Sequence, residues 1–153
     1  MTVSSLLRVS VAVLCLAACA GGPQLSEDAR LVRRVEGVVV SLARAYERKD
    51  AHALFDGVAP TLPGRESLRA AAEDAFARFD RIELALSIER VHLEGSAATV
   101  FVHWDGRWRR TGREPLARQG TARFVVAAGD DAQLIDVVGE NPFGPVPDGV
   151  PRL

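Results

Sequence analysis

The chain has little of the chemistry that marks metal sites and nucleophilic active sites. It contains two cysteines, and both lie in one apolar stretch near the N-terminus, VAVLCLAACAGG. Its three histidines, His52, His92 and His103, do not have the spacing of metal ligands. A Gly-x-Ser-x-Gly nucleophile elbow, a glycine-rich phosphate loop and a paired zinc motif are also missing. We therefore expect no metal and no cofactor, and these absences weaken the case for catalysis without excluding it.

The chain also lacks a strong excess of either charge. Its 19 lysine and arginine residues stand against 20 aspartate and glutamate residues, so the formal net charge is −1 at pH 7. Domains that bind nucleic acids usually carry a clustered positive excess that neutralises phosphates. The composition therefore predicts no nucleic-acid partner.

The N-terminal segment is typical of a secretory signal peptide. One basic residue, Arg8, precedes the apolar run VSVAVLCLAA, which ends in small residues. Ten helical residues rise about 15 Å, which is about half of a hydrocarbon core of about 30 Å. This run is therefore too short to be a permanent membrane span.

The end of this run, Leu-Ala-Ala-Cys closing at Cys19, resembles the lipobox of bacterial lipoproteins. The resemblance implies that residues 1–18 are a signal peptide cut off before Cys19, and that Cys19 carries the lipid. Residues 19–26 would then be the lipidated cysteine and a tether, with no thiol or disulfide left in the mature domain. The alternative is an ordinary secreted protein with a cysteine near its cleavage site.

The lipobox resemblance also implies a location. Acyl chains on Cys19 would make the membrane a partner and hold the protein in the cell envelope. Ala20 and Gly21 offer no acidic retention signal, which favours the outer membrane in an organism that has one.

Helical periodicity covers the first half of the mature chain. In residues 27–49, apolar side chains recur every three or four positions, and Ser26 is suited to cap this helix. Asp50 can cap a second, short helix in DAHALFDG, and a third helix is predicted over about residues 65–80. Three helices therefore precede any strand.

Alternation then replaces the helical period. Apolar and polar residues alternate from Ile82 to Ile88, and the phase slips by one residue near Arg90, as a β-bulge would cause. Three further strands are predicted in AATVFVHWDGRW, ARQGTARFVVAA and QLIDVVG. The tail, residues 141–153, holds four of the eight prolines, and we expect it to be extended and poorly packed.

This order predicts an α+β fold in which three N-terminal helices precede a curved four-stranded antiparallel sheet wrapped on the first helix, a cone-like roll. The segments LARAYERKDAHALFDGVAP, GRESLRAAAEDAFARF, SAATVFVHWDGRW and GTARFVVAAGDDAQLIDVVG resemble the nuclear transport factor 2-like superfamily, the ketosteroid-isomerase-like roll. The resemblance covers residues 27–140. Enzymatic relatives place a short hairpin with a pocket acid between the second and third helices, and residues 56–64 are too few for one.

Six aromatic residues are candidates for a ligand pocket inside the cone: Tyr46, Phe55, Phe76, Phe79, Trp104 and Trp108. They could line an apolar pocket or simply fill the core. His103 and Asp105 lie two apart on one strand and share a face, as a general base and its carboxylate would. The apolar residues of that strand occupy the opposite face, so we expect an outward polar pair and assign no catalytic residue.

These observations predict a lipid-anchored cell-envelope domain, without catalytic activity, that binds a small apolar ligand or an envelope protein. The alternative is an isomerase-, hydratase- or cyclase-like enzyme that uses an acid in the cone, such as Asp56, with Tyr46 as a hydrogen-bond donor. A third hypothesis is a homodimer formed through the outer face of the sheet, with Phe101 in the contact.

Overall fold

The computed structural model describes residues 26–147, which form three helices followed by four strands. In chain order they are α1 (Glu27–Glu47), α2 (Ala51–Asp56), α3 (Arg65–Arg78), β1 (Arg81–Glu94), β2 (Ala97–Arg109), β3 (Leu116–Ala127) and β4 (Leu134–Gly139). The strands make one antiparallel sheet in the order β1-β2-β3-β4. The predicted fold class is therefore confirmed. The proposed signal peptide and Cys19 lie outside the described residues.

Helix α1 begins where the sequence provides a cap. The hydroxyl of Ser26 accepts a hydrogen bond from the backbone N–H of Ala29 at 3.2 Å, which satisfies a donor that the helix itself leaves free. Glu27 and Asp28 in the first turn are favourable at the positive end of the helix dipole. Its buried residues are Val35, Val39, Leu42, Ala43, Ala45 and Tyr46. Among the described residues, no helix is both long and apolar enough to cross a membrane.

The inner face of the sheet packs against α1. Val100 and Phe124 are register partners on β2 and β3, and they share one apolar core with Val35 and Leu42 of the helix. All four are at most 1% exposed. The pairing of β1 with β2 shifts just before Arg90, which confirms the predicted bulge. Because a bulge bends its strand, this shift helps the sheet to curve around the helix.

The loop of residues 57–64, between α2 and α3, is tied to strand β4. Val58 forms an isolated bridge with Leu134, and the N–H of Ala59 donates to the Leu134 carbonyl at 2.9 Å. In return, the N–H of Leu134 donates to the carbonyl of Gly57 at 2.9 Å. The loop forms no hairpin of its own, as its length predicts.

The expectation of a poorly packed tail is wrong for its described part. Phe143 has no exposed surface and Val146 is 3% exposed, and both belong to the main apolar core. The prolines do prevent a further helix or strand here, because they lack a backbone N–H and fix φ. They do not prevent the side chains between them from packing inside the domain, since burial requires no regular backbone.

Candidate functional site

Six aromatic side chains meet inside the cone. We call them the aromatic cluster: Tyr46 of α1, Phe76 of α3, Trp104 and Trp108 of β2, Phe124 of β3 and Phe143 of the tail. The ring of Tyr46 lies 5.3 Å, centroid to centroid, from the rings of both Phe76 and Phe143. Phe143 also stacks on Phe124 at 6.0 Å, and the two tryptophans meet edge to face at 6.5 Å. Every member therefore has an aromatic neighbour at a favourable distance.

Two glycines make room for the indole rings. Trp104 and Trp108 lie four residues apart on β2 and point to the same face, and Gly106 lies between them. A Cβ on Gly106 would lie 2.3 Å from Cη2 of Trp108, so a larger residue would force this ring to move. Gly120 on β3 pairs with Trp104, and a Cβ there would lie 2.8 Å from its indole. The rings thus lie directly on the sheet backbone.

The polar atoms of the cluster are hydrogen-bonded to each other and to the backbone. The indole N–H of Trp108 donates to the hydroxyl of Tyr46 at 3.3 Å, and the indole N–H of Trp104 donates to the carbonyl of Glu140 at 2.7 Å. Burial raises the pKa of Tyr46 above its usual value of 10.0, although the hydrogen bond from Trp108 opposes that shift. The hydroxyl of Tyr46 therefore keeps its proton at physiological pH.

The six candidate pocket residues lie in two kinds of surroundings. Tyr46, Trp104 and Trp108 are buried in the aromatic cluster, and Phe76 is half-buried beside Tyr46. The other two rings are buried but covered by guanidinium groups: Arg65 and Arg69 over Phe55, and Arg78 and Arg110 over Phe79. Sequence reasoning missed Phe143, although it is the only aromatic residue of the proline-rich tail.

A shallow recess of about 60 Å³ opens beside the cluster. It is lined by Phe79, Trp108, Arg110, Arg113, Glu114, Leu116 and Pro147. Sites for drug-sized ligands measure about 300–1,000 Å³, so the recess in this conformation holds little more than water. An aromatic ligand would fit in this recess only if a side chain or a segment moved aside.

The acid considered for catalysis lies outside the cone. Asp56 ends α2 and pairs with His52 at 2.8 Å, and both side chains are largely exposed. The prediction that Asp56 is an acid inside the cone is therefore wrong, because its side chain projects from the solvent side of a short helix. Nε2 of His103 lies 3.5 Å from a carboxylate oxygen of Asp105 on the outer face of the sheet, which is the expected outward pair.

Buried charge and clustered metal ligands are both missing from the part of the chain that the structure describes. Within residues 26–147, the buried side chains are apolar or aromatic and none is charged. In the same residues, no three His, Cys, Asp or Glu side chains come together. The rings of the aromatic cluster thus contribute three polar groups to the cone, the two indole N–H groups and the hydroxyl of Tyr46.

Comparison with solved structures identifies the fold. A protein of the nuclear transport factor 2-like superfamily from Salmonella enterica serovar Typhimurium superposes with a TM-score of 0.62 at 14% identity, over 81% of this chain and 97% of its own. A nuclear transport factor 2-like protein from Streptomyces avermitilis, proposed to be a dehydratase, gives 0.62 at 17% identity, over 76% and 97% of the two chains. This is the nuclear transport factor 2-like fold.

A third similar structure comes from Novosphingobium aromaticivorans and is proposed to be an aromatic ring hydroxylase. Its TM-score is 0.62 at 15% identity, over 76% of this chain and 91% of its own. No family model and no curated protein matches the sequence. At these identities the likeness concerns the fold alone, and the fold carries both enzymes and binding proteins, so function has to be argued from the site.

Proposed function

We propose that this chain is a lipid-anchored protein of the cell envelope whose nuclear transport factor 2-like domain binds a small apolar ligand, or a protein partner, without catalysing a reaction. The observation that carries the ligand proposal is the aromatic cluster. Its rings form a continuous apolar surface inside the cone, with the Tyr46 hydroxyl and two indole N–H groups as its polar points. Apolar walls with few polar groups are the usual composition of a small-molecule site.

The anchor is supported by the Leu-Ala-Ala-Cys sequence that ends at Cys19. Cells expressing the full chain would be grown with an alkyne-labelled fatty acid, and the purified protein would be examined by mass spectrometry. We expect label on the wild type and on Cys15→Ser, because Cys15 belongs to the segment that is removed. Cys19→Ser should carry none. An unlabelled wild-type chain that starts elsewhere than Cys19 would refute the anchor.

Intrinsic fluorescence provides a direct assay for ligand binding. The chain has two tryptophans, and both lie in the aromatic cluster, so the emission of the protein reports on the cone. Molecules that co-purify with the detergent-extracted protein would first be identified by mass spectrometry and then titrated against the delipidated protein. A saturable change in tryptophan emission supports binding in the cone. If no co-purified or added apolar compound changes the tryptophan emission of the delipidated protein, the ligand proposal fails.

The enzyme alternative is less well supported by the site. Its acid, Asp56, lies outside the cone, and this leaves the buried Tyr46 hydroxyl as the candidate hydrogen-bond donor. Two similar structures are themselves proposed to be enzymes, which is the reason to test the alternative. Turnover of a ketosteroid or of a hydroxylated aromatic compound that is lost in Tyr46→Phe would establish it. Retention of ligand binding without turnover would favour the binding protein.

The protein-partner proposal includes a second copy of this chain on the outer face of the sheet. There, Phe101 is half-buried under the guanidinium group of Arg90, 4.3 Å from its ring, and Val138 is 40% exposed. Light scattering over a range of concentrations tests this proposal. A dimer in the wild type that dissociates in Phe101→Glu supports the pairing, whereas a monomer at high concentration contradicts it.

A further inference from the structure

The tail segment, which we define as residues 141–147, fills the part of the cone that an aromatic ligand would need. The ring of Phe143 lies between two rings of the cone wall, 5.3 Å from Tyr46 and 6.0 Å from Phe124. It has no exposed surface, although it belongs to a segment without helix or strand structure. The last described residue, Pro147, lines the shallow recess next to Trp108. The tail segment therefore passes from the interior of the cone to this recess.

Regular pairing with the sheet ends just before the tail segment. Glu140 is firmly held, since its N–H donates to the Thr121 carbonyl at 3.0 Å and its carboxylate accepts from the Thr121 N–H at 3.1 Å. Gly139 precedes it with φ = 98°, a value that glycine adopts without strain. Beyond Glu140, the strand ladder cannot continue through prolines at 142, 145 and 147. Residues 139 and 140 thus form a fixed point from which the tail segment can swing.

Between described residues, two local hydrogen bonds and two hydrogen bonds from arginine side chains hold the tail segment. The side chain of Asn141 accepts from the N–H of Phe143 at 2.9 Å, and its carbonyl accepts from the N–H of Gly144 at 3.1 Å. Two arginines hold its end: Arg78 donates to the carbonyl of Val146 at 2.5 Å, and Arg118 donates to the carbonyl of Pro145 at 3.2 Å. Within residues 26–147, the ring of Phe143, the side chain of Val146, one local turn and two guanidinium groups therefore dock the segment.

We infer that the tail segment is an internal ligand, and that an external molecule with an aromatic ring and a carboxylate displaces it. The inference rests on the proposed ligand-binding function and specifies its ligand class. The external ring takes the place of Phe143 between Tyr46 and Phe124. The carboxylate takes the place of the backbone carbonyls at Arg78 and Arg118, with which it makes charge-assisted bonds that a neutral carbonyl cannot match.

The chain geometry sets the length of this ligand. Pro145 lies two positions after Phe143, and two extended residues span at most about 7 Å. A ring joined to its carboxylate by three or more methylenes covers a similar distance. Arg78 also pairs with Asp74 at 2.6 Å, so the carboxylate gains most from Arg118, whose guanidinium lies 5.8 Å from the ring of Trp104. The recognised class is thus an ω-phenylalkanoate or a related aromatic acid.

Displacement of an internal ligand has a signature that ordinary binding lacks. The apparent affinity depends on the fraction of molecules whose tail segment is undocked, so weakening the docked tail strengthens ligand binding. Asn141→Ala removes the side-chain bond that shapes the turn but leaves the cone wall unchanged. We expect it to bind the ligand about fivefold more tightly than the wild type, since one hydrogen bond of the docked state is lost.

The test uses the full chain, 4-phenylbutyrate as the probe and tryptophan emission as the readout. Asp136→Ala is the matched control, because it removes a similar local bond, accepted from the N–H of Val137 at 2.8 Å, on β4 instead of the tail. We expect tighter binding in Asn141→Ala and unchanged binding in Asp136→Ala. 4-Phenylbutylamine, which has the same ring and no carboxylate, should bind at least tenfold more weakly. Equal affinity of Asn141→Ala and the wild type overturns the inference, as does equal affinity for the amine and the acid.

Chymotrypsin cleavage after Phe143 gives a second, independent readout. A ligand that binds elsewhere on the folded protein slows proteolysis, whereas a ligand that expels the tail segment speeds cleavage at this bond. We expect 4-phenylbutyrate to increase the cleavage rate in the wild type, and a decrease overturns the inference. If the probe binds the cone of every variant equally and slows cleavage, ligand binding stands and only the displacement is refuted. If no probe binds any variant, including Phe143→Leu with its smaller side chain, the cone is no ligand site.

Discussion

Removing the ring of Phe143 tests whether the tail belongs to the folded core. The Phe143→Ala change removes a completely buried ring from a segment that has no regular structure. Burial of a phenylalanine side chain contributes up to about 3 kcal/mol, and each of its ring contacts, with Tyr46 and Phe124, adds about 0.5–1.5 kcal/mol. Rigid cores lose about 3–5 kcal/mol in such substitutions. Because the tail segment can partly collapse into the space, we expect a loss of about 3–4 kcal/mol.

Urea and thermal unfolding would measure this loss. For a domain of this size, 1 kcal/mol corresponds to a change in Tm of about 3–4 °C, so Tm should fall by about 10–15 °C. Phe101→Ala is the matched control, since it removes the same ring from the outer face of the sheet, where Phe101 is half-buried and contacts Arg90. We expect the control to lose about 1 kcal/mol.

The reasoning fails if Phe143→Ala unfolds like the wild type. A loss below about 1 kcal/mol, equal to that of the control, would mean that the ring contributes no more than a surface side chain. A large loss of free energy with an unchanged denaturant slope would locate the effect in the native packing, because that slope reports the surface exposed on unfolding.

Three further predictions concern the cluster and its surroundings. Gly106→Ala should lower the free energy of unfolding by about 1–3 kcal/mol, because the new Cβ would meet the indole of Trp108. The control Gly37→Ala has open space around it and should stabilise α1 by up to about 1 kcal/mol, so equal effects of the two changes would contradict the packing. The raised pKa of Tyr46 means that its contribution to the free energy of unfolding is present below pH 10.0 and is lost as the pH rises through the native pKa. Because Tyr46 is the only tyrosine, tyrosinate absorbance that appears at pH 10.0 in the folded protein would refute its burial. Hydrogen bonds from Thr111 lower the pKa of Asp80 below 3.8, so Asp80→Asn should lower the free energy of unfolding at neutral pH. In urea unfolding, the difference between this variant and the wild type should vanish as the pH falls below 3.8 through the native pKa, and a difference that persists in strong acid would refute this role.

Local periodicity was enough to predict the elements of the fold. The cap at Ser26, the helical period of α1 and the phase slip near Arg90 are all encoded by neighbouring residues, and the structure contains each of them. The predicted C-terminal ends of α1 and α3 lay beyond the observed ends at Glu47 and Arg78. Lys49 adopts a positive φ of 57° just beyond α1, and Phe79 is extended at the end of α3. These ends depend on backbone conformations that residue type alone does not specify.

The contents of the cone could be predicted only in part. Trp104 and Trp108 share an inner face because strand alternation requires it. No local pattern, however, indicates that Phe143 reaches the same space, because its burial depends on Tyr46 and Phe124, which are distant in sequence. Nor does the sequence show that arginine side chains cover Phe55, since long flexible side chains choose their contacts in the folded protein.

The way this cone is closed also explains why the fold alone cannot give the function. The loop of residues 57–64 is tied to β4 through Val58, so it completes the edge of the sheet. The last ring of the aromatic cluster comes instead from Phe143, after β4, in a segment that Glu140 holds at its start and that Arg78 and Arg118 hold near its end. A closure of this kind supplies a side chain that another aromatic molecule can replace. The capacity for binding therefore depends on how firmly the tail segment is docked, a free-energy difference that Asn141→Ala changes without altering the cone wall.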